Sequence, residues 1–143
     1  MILINVKKLH PDAVLPTYGT TGAACFDLSV ASVEGSYINN ATYGTGLSFE
    51  IPKDHVMLIF SRSGHGFKDD IRLSNCVGVI DSDYRGEVKV KLRGDCFASP
   101  TFNQGDRIAQ AMILPIQQVS FALVDELSDT DRGTNGFGST GDA

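Results

Sequence analysis

The stretch that decides the fold is EVKVKLR at Glu87–Arg93, in which apolar and charged residues alternate without a fault. Successive side chains of a β-strand point to opposite faces, so this pattern places Val88, Val90 and Leu92 on one face. The four charged side chains lie on the other face. We therefore predict a strand that packs one side against a core and turns the other to solvent.

The same period recurs in shorter stretches of the chain. Leu47–Ile51 alternates apolar and polar residues, and Ile2–Val6 does so less cleanly. Val56–Phe60 is continuously apolar, as expected of a strand that is covered on both faces. Two further strand candidates are separated by Pro115, which lacks the amide hydrogen that a central strand needs: Ile108–Leu114 and Val119–Val124.

Helical periodicity is nearly absent, and one short helix is predicted around Gly66–Leu73. Fifteen glycines and five prolines punctuate the strands at short intervals, where they indicate turns. Many short strands with frequent turns are typical of an antiparallel sandwich or barrel of the jelly-roll kind. The sequence therefore predicts an all-β fold.

The composition limits the class of protein. With 143 residues, 42% of them hydrophobic, the chain has room for one globular domain. The net charge of −5 argues against a broad grip on nucleic acid, and no apolar run is long enough to cross a bilayer. The three cysteines (Cys25, Cys76, Cys96) are widely spaced, which is typical of reduced thiols. We expect a cytoplasmic protein with no nucleic-acid or membrane partner.

The end of the chain differs from the rest. Ser128–Ala143 contains four glycines and one large apolar residue, Phe137, so it cannot bury a core face of its own. We predict a jelly-roll domain over residues 1–127 and a flexible C-terminal arm over residues 128–143. Gly136–Gly141 has the spacing G-x-G-x-x-G, but too few residues follow for the helix of a dinucleotide site. The segment is either a phosphate-contacting backbone or a disordered polar tail.

Three further stretches place polar side chains next to strands. Ser61–Gly64 follows an apolar strand and is either a phosphate contact or a turn in which Ser63 caps a helix. Asp81–Gly86 predicts a hairpin, and a carboxylate there could serve as a general base. At the start of a later strand we favour a structural ion pair between Asp106 and Arg107. The three histidines show no metal-binding spacing and are interpreted as incidental: His10, His55 and His65.

In this order the segments resemble the five motifs of the trimeric dUTP pyrophosphatase (dUTPase) family, and the match spans nearly the whole chain. The motifs correspond to Ala24–Leu28, Arg62–Asn75, Gly78–Gly86, Gly105–Gln110 and Arg132–Gly141. Three residues stand where the family has glycine: Cys25, Asp70 and Asn135. Aspartate and asparagine tolerate positive φ better than other non-glycine residues, so we expect the backbone to persist at positions 70 and 135.

The resemblance implies a distorted jelly-roll barrel of the dUTPase-like, β-clip type. It implies a homotrimer whose active sites are shared between subunits, with an arm that closes over a neighbour's site. The implied reaction is Mg²⁺-dependent hydrolysis of dUTP to dUMP and pyrophosphate, which limits uracil in DNA and supplies dUMP for thymidylate synthesis. A bacterial cytoplasm or that of a virus-infected host cell is the implied location.

The resemblance also implies roles for individual residues. Asp81 is the expected base that activates water for attack on the α-phosphorus, and Tyr84 is expected against the deoxyribose. Asp27 is expected near the metal, through water only. The implied uracil contacts are Asn75, Gly78, Val79 and Ile80. The implied phosphate contacts from a second subunit are Arg62, Ser63, Gly64 and Gln110. The implied contacts from the arm are Arg132, Phe137, Gly138, Ser139 and Thr140, with Phe137 stacked on uracil.

Two other functions use the same fold. A dCTP deaminase normally has two serines after the arginine of the second motif, and a glutamate and an alanine where this chain has Asp81 and Tyr84. A binding or regulatory protein could keep the pocket without turnover, although the complete set of Asp81, Tyr84 and arm favours an enzyme.

Overall fold

A computed structural model describes residues 2–95 and 99–136, which form eleven β-strands and one short helix. No helix in these ranges is long and apolar enough to cross a membrane. The elements are, in chain order, β1 (Asn5–Lys8), β2 (Thr17–Tyr18), β3 (Phe26–Ser29), β4 (Ser32–Tyr37), β5 (Asn40–Gly44), β6 (Leu47–Glu50), β7 (His55–Phe60), α1 (Ser63–Asp69), β8 (Ile71–Leu73), β9 (Val77–Ile80), β10 (Lys89–Gly94) and β11 (Arg107–Pro115).

The strands form three antiparallel sheets. One sheet has the order β2-β3-β11-β7-β9, a second has the order β4-β5-β10-β8, and β1 pairs with β6. Neighbouring strands are often distant in sequence, as in jelly rolls, where the chain crosses between sheets. The predicted all-β, jelly-roll class is confirmed, and the sheets do not close into a barrel.

The core confirms the alternating patterns. Val88, Val90 and Leu92 are buried, and so are Leu47 and Phe49 on β6. These apolar faces join one cluster with side chains from the five-stranded sheet. Removal of this area from water is the main force that holds the sheets together.

The helix α1 lies earlier than predicted and ends at Asp69. Asp70 follows with a φ of 51°, and its N–H donates to the carbonyl of His65, which closes the helix with a left-handed residue. Ile71–Leu73 then continues as β8 instead of a second turn of helix. The expectation that an aspartate at position 70 tolerates a positive φ is confirmed, whereas Asn135 does not adopt a positive φ.

The hairpin predicted at Asp81–Gly86 is wrong. β9 belongs to the five-stranded sheet and β10 to the four-stranded sheet, so the segment crosses between sheets. Its path is fixed by β6, because Ser48 Oγ donates to the carbonyl of Arg85 (2.7 Å) and Val88 N–H donates to the carbonyl of Leu47 (2.9 Å). The turn residues do form a turn, in which Tyr84 N–H donates to the carbonyl of Asp81, but they do not show which strands the segment joins.

The strand predicted at Val119–Val124 is also wrong. β11 ends at Pro115, which lacks the amide hydrogen that a further ladder bond needs. Residues 116–127 follow without regular structure, and their large apolar side chains are exposed; Phe121 is 95% exposed.

Candidate active site

A cavity of about 390 Å³ opens between the two larger sheets, where β9 faces β10. Side chains or backbone of Ile59, Leu73 and Val90 form part of its wall. All four of the residues predicted to contact uracil line it: Asn75, Gly78, Val79 and Ile80. The structure thus brings the predicted base-binding residues together in one cavity.

The edge of β9 gives this cavity polar backbone groups. β9 is an outermost strand, and its one strand partner among the described residues is β7. An edge strand leaves N–H and C=O groups unpaired on its outer side, where a ligand can use them. Gly78 permits the close fit, because a Cβ there would lie 3.1 Å from Cβ of Ile59.

The turn that leads into β9 is tightly bonded. Cys76 N–H donates to the carbonyl of Leu73 (3.3 Å), and Val77 N–H donates to the carbonyl of Asn75 (2.7 Å). Cys76 has a φ of 64°, a left-handed conformation that is uncommon for a residue with a side chain. These bonds fix the backbone around Asn75 at the mouth of the cavity.

A second cavity of about 330 Å³ adjoins the first and is lined by Asp81, Tyr84 and Glu87. It shares Val79, Ile80 and Lys89 with the first cavity. The carboxylate of Asp81 is exposed at the end of β9, and no hydrogen bond within residues 2–95 and 99–136 uses its oxygens. A free carboxylate here can accept a proton from a water molecule.

The ring of Tyr84 is held in place by its own loop. Its hydroxyl donates to the carbonyl of Glu87 (3.0 Å), and its backbone N–H donates to the carbonyl of Asp81 (3.2 Å). A Cβ at Gly86 would lie 2.5 Å from Cζ of Tyr84, so the ring packs on glycine backbone. Tyr84 as a whole is 44% exposed and lines the second cavity.

Lys89 is a cation that the sequence analysis missed. It lines both cavities, and its Nζ lies 2.7 Å from Oε1 of Glu34. The hydrogen bond to Glu34 raises the pKa of Lys89 above its usual value. The alternation in Glu87–Arg93 predicts Lys89 on the solvent-facing side of its strand. That side borders a cavity because β9 lies close to β10, which the sequence pattern does not show.

The predicted phosphate contacts form a separate group at the other end of the five-stranded sheet. Asp27 Oδ1 accepts from Nε of Arg62 (3.0 Å), and Asp27 Oδ2 accepts from Nη1 of Arg107 (2.9 Å). Gln110 lies opposite Asp27 on the neighbouring strand, and its Nε2 donates to the carbonyl of Ser61 (2.9 Å). Asp27, Arg62 and Gln110 therefore lie together in one subunit, and their roles towards phosphate and metal stay predictions.

One expectation for this group is wrong. Arg107 does not pair with Asp106, whose carboxylate instead accepts from the N–H of Asn103 (2.7 Å). His65 has a structural contact here, because its Nε2 donates to the carbonyl of Arg107 (2.9 Å) and its ring packs edge-on against Phe102. The adjacency of Asp106 and Arg107 in the sequence suggested an ion pair between them, whereas Arg107 pairs with Asp27 on a strand distant in sequence.

The helix start contradicts one of the two alternatives for Ser61–Gly64, the turn in which Ser63 caps the helix, and leaves the phosphate contact as a prediction. The N-cap is Arg62, without a side-chain capping bond, and Ser63 is the first residue of α1. A Cβ at Gly64 would meet no atom within 4 Å, so this backbone borders open space. Ser63 and Gly64 are consequently free to contact a ligand beside Arg62.

Within one chain the two groups are apart. Ile80 lies opposite Met57 and Val77 lies opposite Phe60, so β9 separates Asp81 from the residues that follow β7. At about 3.3 Å per residue this separation is about 10 Å or more. The structure does not bring Arg62, Ser63, Gly64 or Gln110 into the cavity of Asp81.

The arm is described only in part. Arg132 is exposed, and its Nε donates to the carbonyl of Asn135 (2.9 Å) within a turn. Four predicted contacts lie outside the described residues: Phe137, Gly138, Ser139 and Thr140. Their assignment stays a prediction.

The thiol of Cys25 stands beside Asp27 at the position where the family has glycine. Burial, and secondarily the charge of Asp27, raise the pKa of the Cys25 thiol. A neutral thiol neither competes with the arginines for Asp27 nor ligates a hard cation. With cysteine instead of glycine at position 25, Asp27 stays in its strand, and each of its carboxylate oxygens accepts a hydrogen bond from an arginine.

An all-β chain with a backbone-lined cavity, an adjacent free carboxylate and a group of arginines has the features of a nucleotide hydrolase. The chain belongs to the dUTPase family, whose model matches residues 12–141.

Curated relatives cover almost the whole chain. Deoxyuridine 5'-triphosphate nucleotidohydrolase of Nautilia profundicola is 45% identical over 96% of this chain and 98% of the relative. The protein of the same name from Bdellovibrio bacteriovorus is 42% identical over 99% of this chain and 98% of the relative.

Solved structures have the same fold. A point mutant of the dUTPase of Staphylococcus bacteriophage 80alpha, solved with dUpNHpp, has a TM-score of 0.84 at 25% identity and covers 99% of both chains. A point mutant of the dUTPase from phage phi11 of S. aureus, solved with a structural Mg(II) ion, has a TM-score of 0.78 at 22% identity. That match covers 90% of this chain and 100% of the phage protein, and at this identity it shows the fold alone.

Proposed function

We propose that this chain hydrolyses dUTP to dUMP and pyrophosphate, with Asp81 as the general base. The observation that carries the proposal is the free carboxylate of Asp81 at the end of the strand that lines the base-binding cavity. Asp81 takes a proton from water, whose oxygen bonds to the α-phosphorus while the bond to the bridging oxygen of the β-phosphate breaks. Pyrophosphate leaves, and dUMP remains on β9.

Uracil is selected by the edge of β9 and by Asn75. Uracil presents an N3–H donor beside an O4 acceptor, and cytosine reverses both groups. A fixed backbone C=O and N–H would be left unpaired by cytosine, which can cost orders of magnitude in affinity. Thymine differs by one methyl group, so a turn fixed by the bonds at Cys76 and Val77 excludes it by shape.

Tyr84 selects the sugar. The hydroxyl bond to the carbonyl of Glu87 holds its ring, and the N–H bond to the carbonyl of Asp81 holds its backbone, so the ring cannot withdraw without breaking a bond. A deoxyribose packs flat on such a ring, whereas a 2′-hydroxyl would meet carbon without a hydrogen-bond partner.

Mg²⁺ is proposed as the cofactor, held mainly by the phosphates and water. No group of three His, Cys, Asp or Glu side chains in residues 2–95 and 99–136 could hold a metal ion. This fits an ion that prefers oxygen ligands and enters with its triphosphate. Each oxygen of Asp27 accepts one arginine N–H and has a further lone pair, so Asp27 can also accept from a metal-bound water. When bound, Mg²⁺ would neutralise charge on the leaving pyrophosphate.

A homotrimer with shared sites is proposed because one chain does not complete the site. Asp81 and the group around Arg62 lie apart in the same subunit. Residues 116–127 expose an apolar series that would be covered by a neighbouring subunit: Ile116, Val119, Phe121, Leu123, Val124 and Leu127. Arg62, Ser63, Gly64 and Gln110 of one subunit would then meet phosphates bound next to Asp81 of another.

Charges on the exposed apolar series should weaken the assembly. We expect Phe121→Asp with Leu123→Asp to shift sedimentation from trimer to monomer and to abolish most dUTP turnover, while far-UV circular dichroism keeps its β-sheet signal. The replacement Asp125→Asn in the same segment is the matched control and should stay trimeric. A fully active, trimeric double variant would contradict this part of the proposal.

A nucleotide panel tests the activity itself. With Mg²⁺ present we expect pyrophosphate from dUTP, and at least about 100-fold less from dCTP, dTTP and UTP, since each loses a pairing or shape match. Ammonia from dCTP would identify a deaminase, and binding without products would identify a regulatory protein. Either outcome would overturn the proposed activity.

A cytoplasmic location and the division into a domain over residues 1–127 and an arm over residues 128–143 stay part of the proposal. The free thiols of Cys25 and Cys76 support a reducing compartment. The exposure of residues 128–136 supports an arm outside the core.

A further inference from the structure

The carboxylate of Asp27 is shared by two arginines. Its side chain is 14% exposed, and it accepts from Nε of Arg62 at 3.0 Å and from Nη1 of Arg107 at 2.9 Å. Arg62 Nη1 also donates to the carbonyl of Arg107 at 3.2 Å. These bonds join the end of β7 to the beginning of β11 through β3.

A bulge in β11 turns Arg107 towards this carboxylate. Gln110 lies opposite Asp27 and Ala109 opposite Leu28, so an unbroken ladder would place Arg107 opposite Val30. The register shifts between Arg107 and Ala109, and Arg107 lies opposite Ser29 instead. Residues directly opposite share a face, and Ser29 shares its face with Asp27. The bulge therefore moves Arg107 to the face that carries Asp27 and Gln110, a known use of bulges near sites.

The two arginines keep donors for a ligand. No acceptor within residues 2–95 and 99–136 holds Arg62 Nη2, or Nε and Nη2 of Arg107. The Arg107 side chain is 53% exposed, so these donors reach solvent. Two guanidinium groups against one carboxylate leave a net positive charge, which suits a polyphosphate and its bidentate recognition.

We propose that Asp27 is a positioning residue that holds Arg62 and Arg107 side by side, and that Arg107 is a second arginine for the terminal phosphates of the nucleotide. The inference rests on the proposed function, in which Arg62 contacts those phosphates. Asp27 acts through the arginines: it fixes Nε of one and Nη1 of the other, and so directs their remaining N–H groups to the same side. Arg107 binds through donors that face solvent.

The test compares binding of dUpNHpp, which carries all three phosphates, with binding of dUMP, which carries one. Isothermal titration with Mg²⁺ would use the trimer of Asp27→Asn, of Arg107→Gln and of the double variant. We expect each variant to bind dUpNHpp at least about tenfold more weakly than the unchanged protein does. The Kd for dUMP should stay within twofold of that of the unchanged protein. The double variant should bind little worse than either single variant, because the residues act as one unit. Arg93→Gln removes an exposed arginine elsewhere and is the matched control.

Kinetics separate this role from a role at the metal. For both single variants KM for dUTP should rise more than kcat falls, and in Arg107→Gln, which leaves the carboxylate of Asp27 in place, the half-saturating Mg²⁺ concentration should stay within twofold. Normal dUpNHpp binding in Arg107→Gln, or a raised Mg²⁺ requirement in that variant, would overturn the inference. Equal losses for dUMP and dUpNHpp would also overturn it, as a general structural effect.

Failure of the inference differs from failure of the proposed function. If the unchanged protein hydrolyses dUTP but both variants bind dUpNHpp normally, only the inference fails. If the unchanged protein neither binds dUpNHpp nor hydrolyses dUTP, the proposed function fails and the inference with it. Should Asp27→Asn fold poorly, Arg107→Gln decides the question, because its side chain is half exposed and outside the core.

Discussion

Replacement of Asp81 by asparagine should lower kcat for dUTP by about 10²- to 10⁴-fold, the range that a positioned general base contributes. Asparagine keeps the size and polarity of the side chain but cannot take a proton from water. Binding should survive, because the cavity lined by Asn75, Gly78 and Val79 is untouched. Stability should also survive, since the Asp81 side chain is exposed.

The measurement pairs single-turnover rates with titration of dUpNHpp. Asp83→Asn removes a carboxylate two residues away in the same crossing segment and is the matched control, expected to stay within a few-fold of the unchanged kcat. If Asp81→Asn turned over dUTP at a near-normal rate, another group would have to be the base. If it lost dUpNHpp binding as well, Asp81 would act in binding and not in proton transfer.

Removal of Ser128–Ala143 should lower kcat by about 10²-fold or more while the trimer stays assembled. The arm is proposed to bring Arg132 and the glycine-rich run to the phosphates, and loss of even one preorganised donor to a developing charge has such an effect. Residues 128–136 are exposed and contribute nothing to the core cluster, so the midpoint of thermal unfolding should stay unchanged.

Sedimentation and steady-state kinetics together check this expectation. Asp129→Asn lies in the same segment, keeps every proposed contact and serves as the matched control. A fully active truncated protein would remove the arm from the mechanism. A truncated protein that fell apart into monomers would show that residues 128–143 assemble the subunits instead of closing the site.

Strands could be predicted where a local pattern is sufficient to form them. The alternation in Glu87–Arg93 and Leu47–Ile51 fixes which side chains face the core whatever the partner strand is, and the structure buries those side chains. Partners could not be predicted in this way. The residues Asp81–Gly86 indicate a turn, yet the bonds that β6 makes to Arg85 and Val88 hold the segment on a path that crosses between sheets.

In the candidate site, too, some features could be predicted from the sequence, whereas others depend on how distant strands approach each other. Recognition of the motifs grouped Asn75 with Gly78, Val79 and Ile80, and these residues do share a cavity. Nothing in the sequence placed Lys89 on that cavity or Arg107 beside Asp27, because the first depends on how two sheets approach and the second on a bulge. Pairs adjacent in sequence, such as Asp106 and Arg107, are poor guides to contacts across a sheet.

The unpaired outer edge of β9 also bears on how the protein avoids aggregation. An edge strand can pair with a strand of another chain, and a short length and nearby charged side chains are two features that prevent this. β9 is four residues long, and Lys89 and Glu87 stand beside it. An edge of four residues with charged neighbours is therefore a poor template for pairing with a strand of another chain.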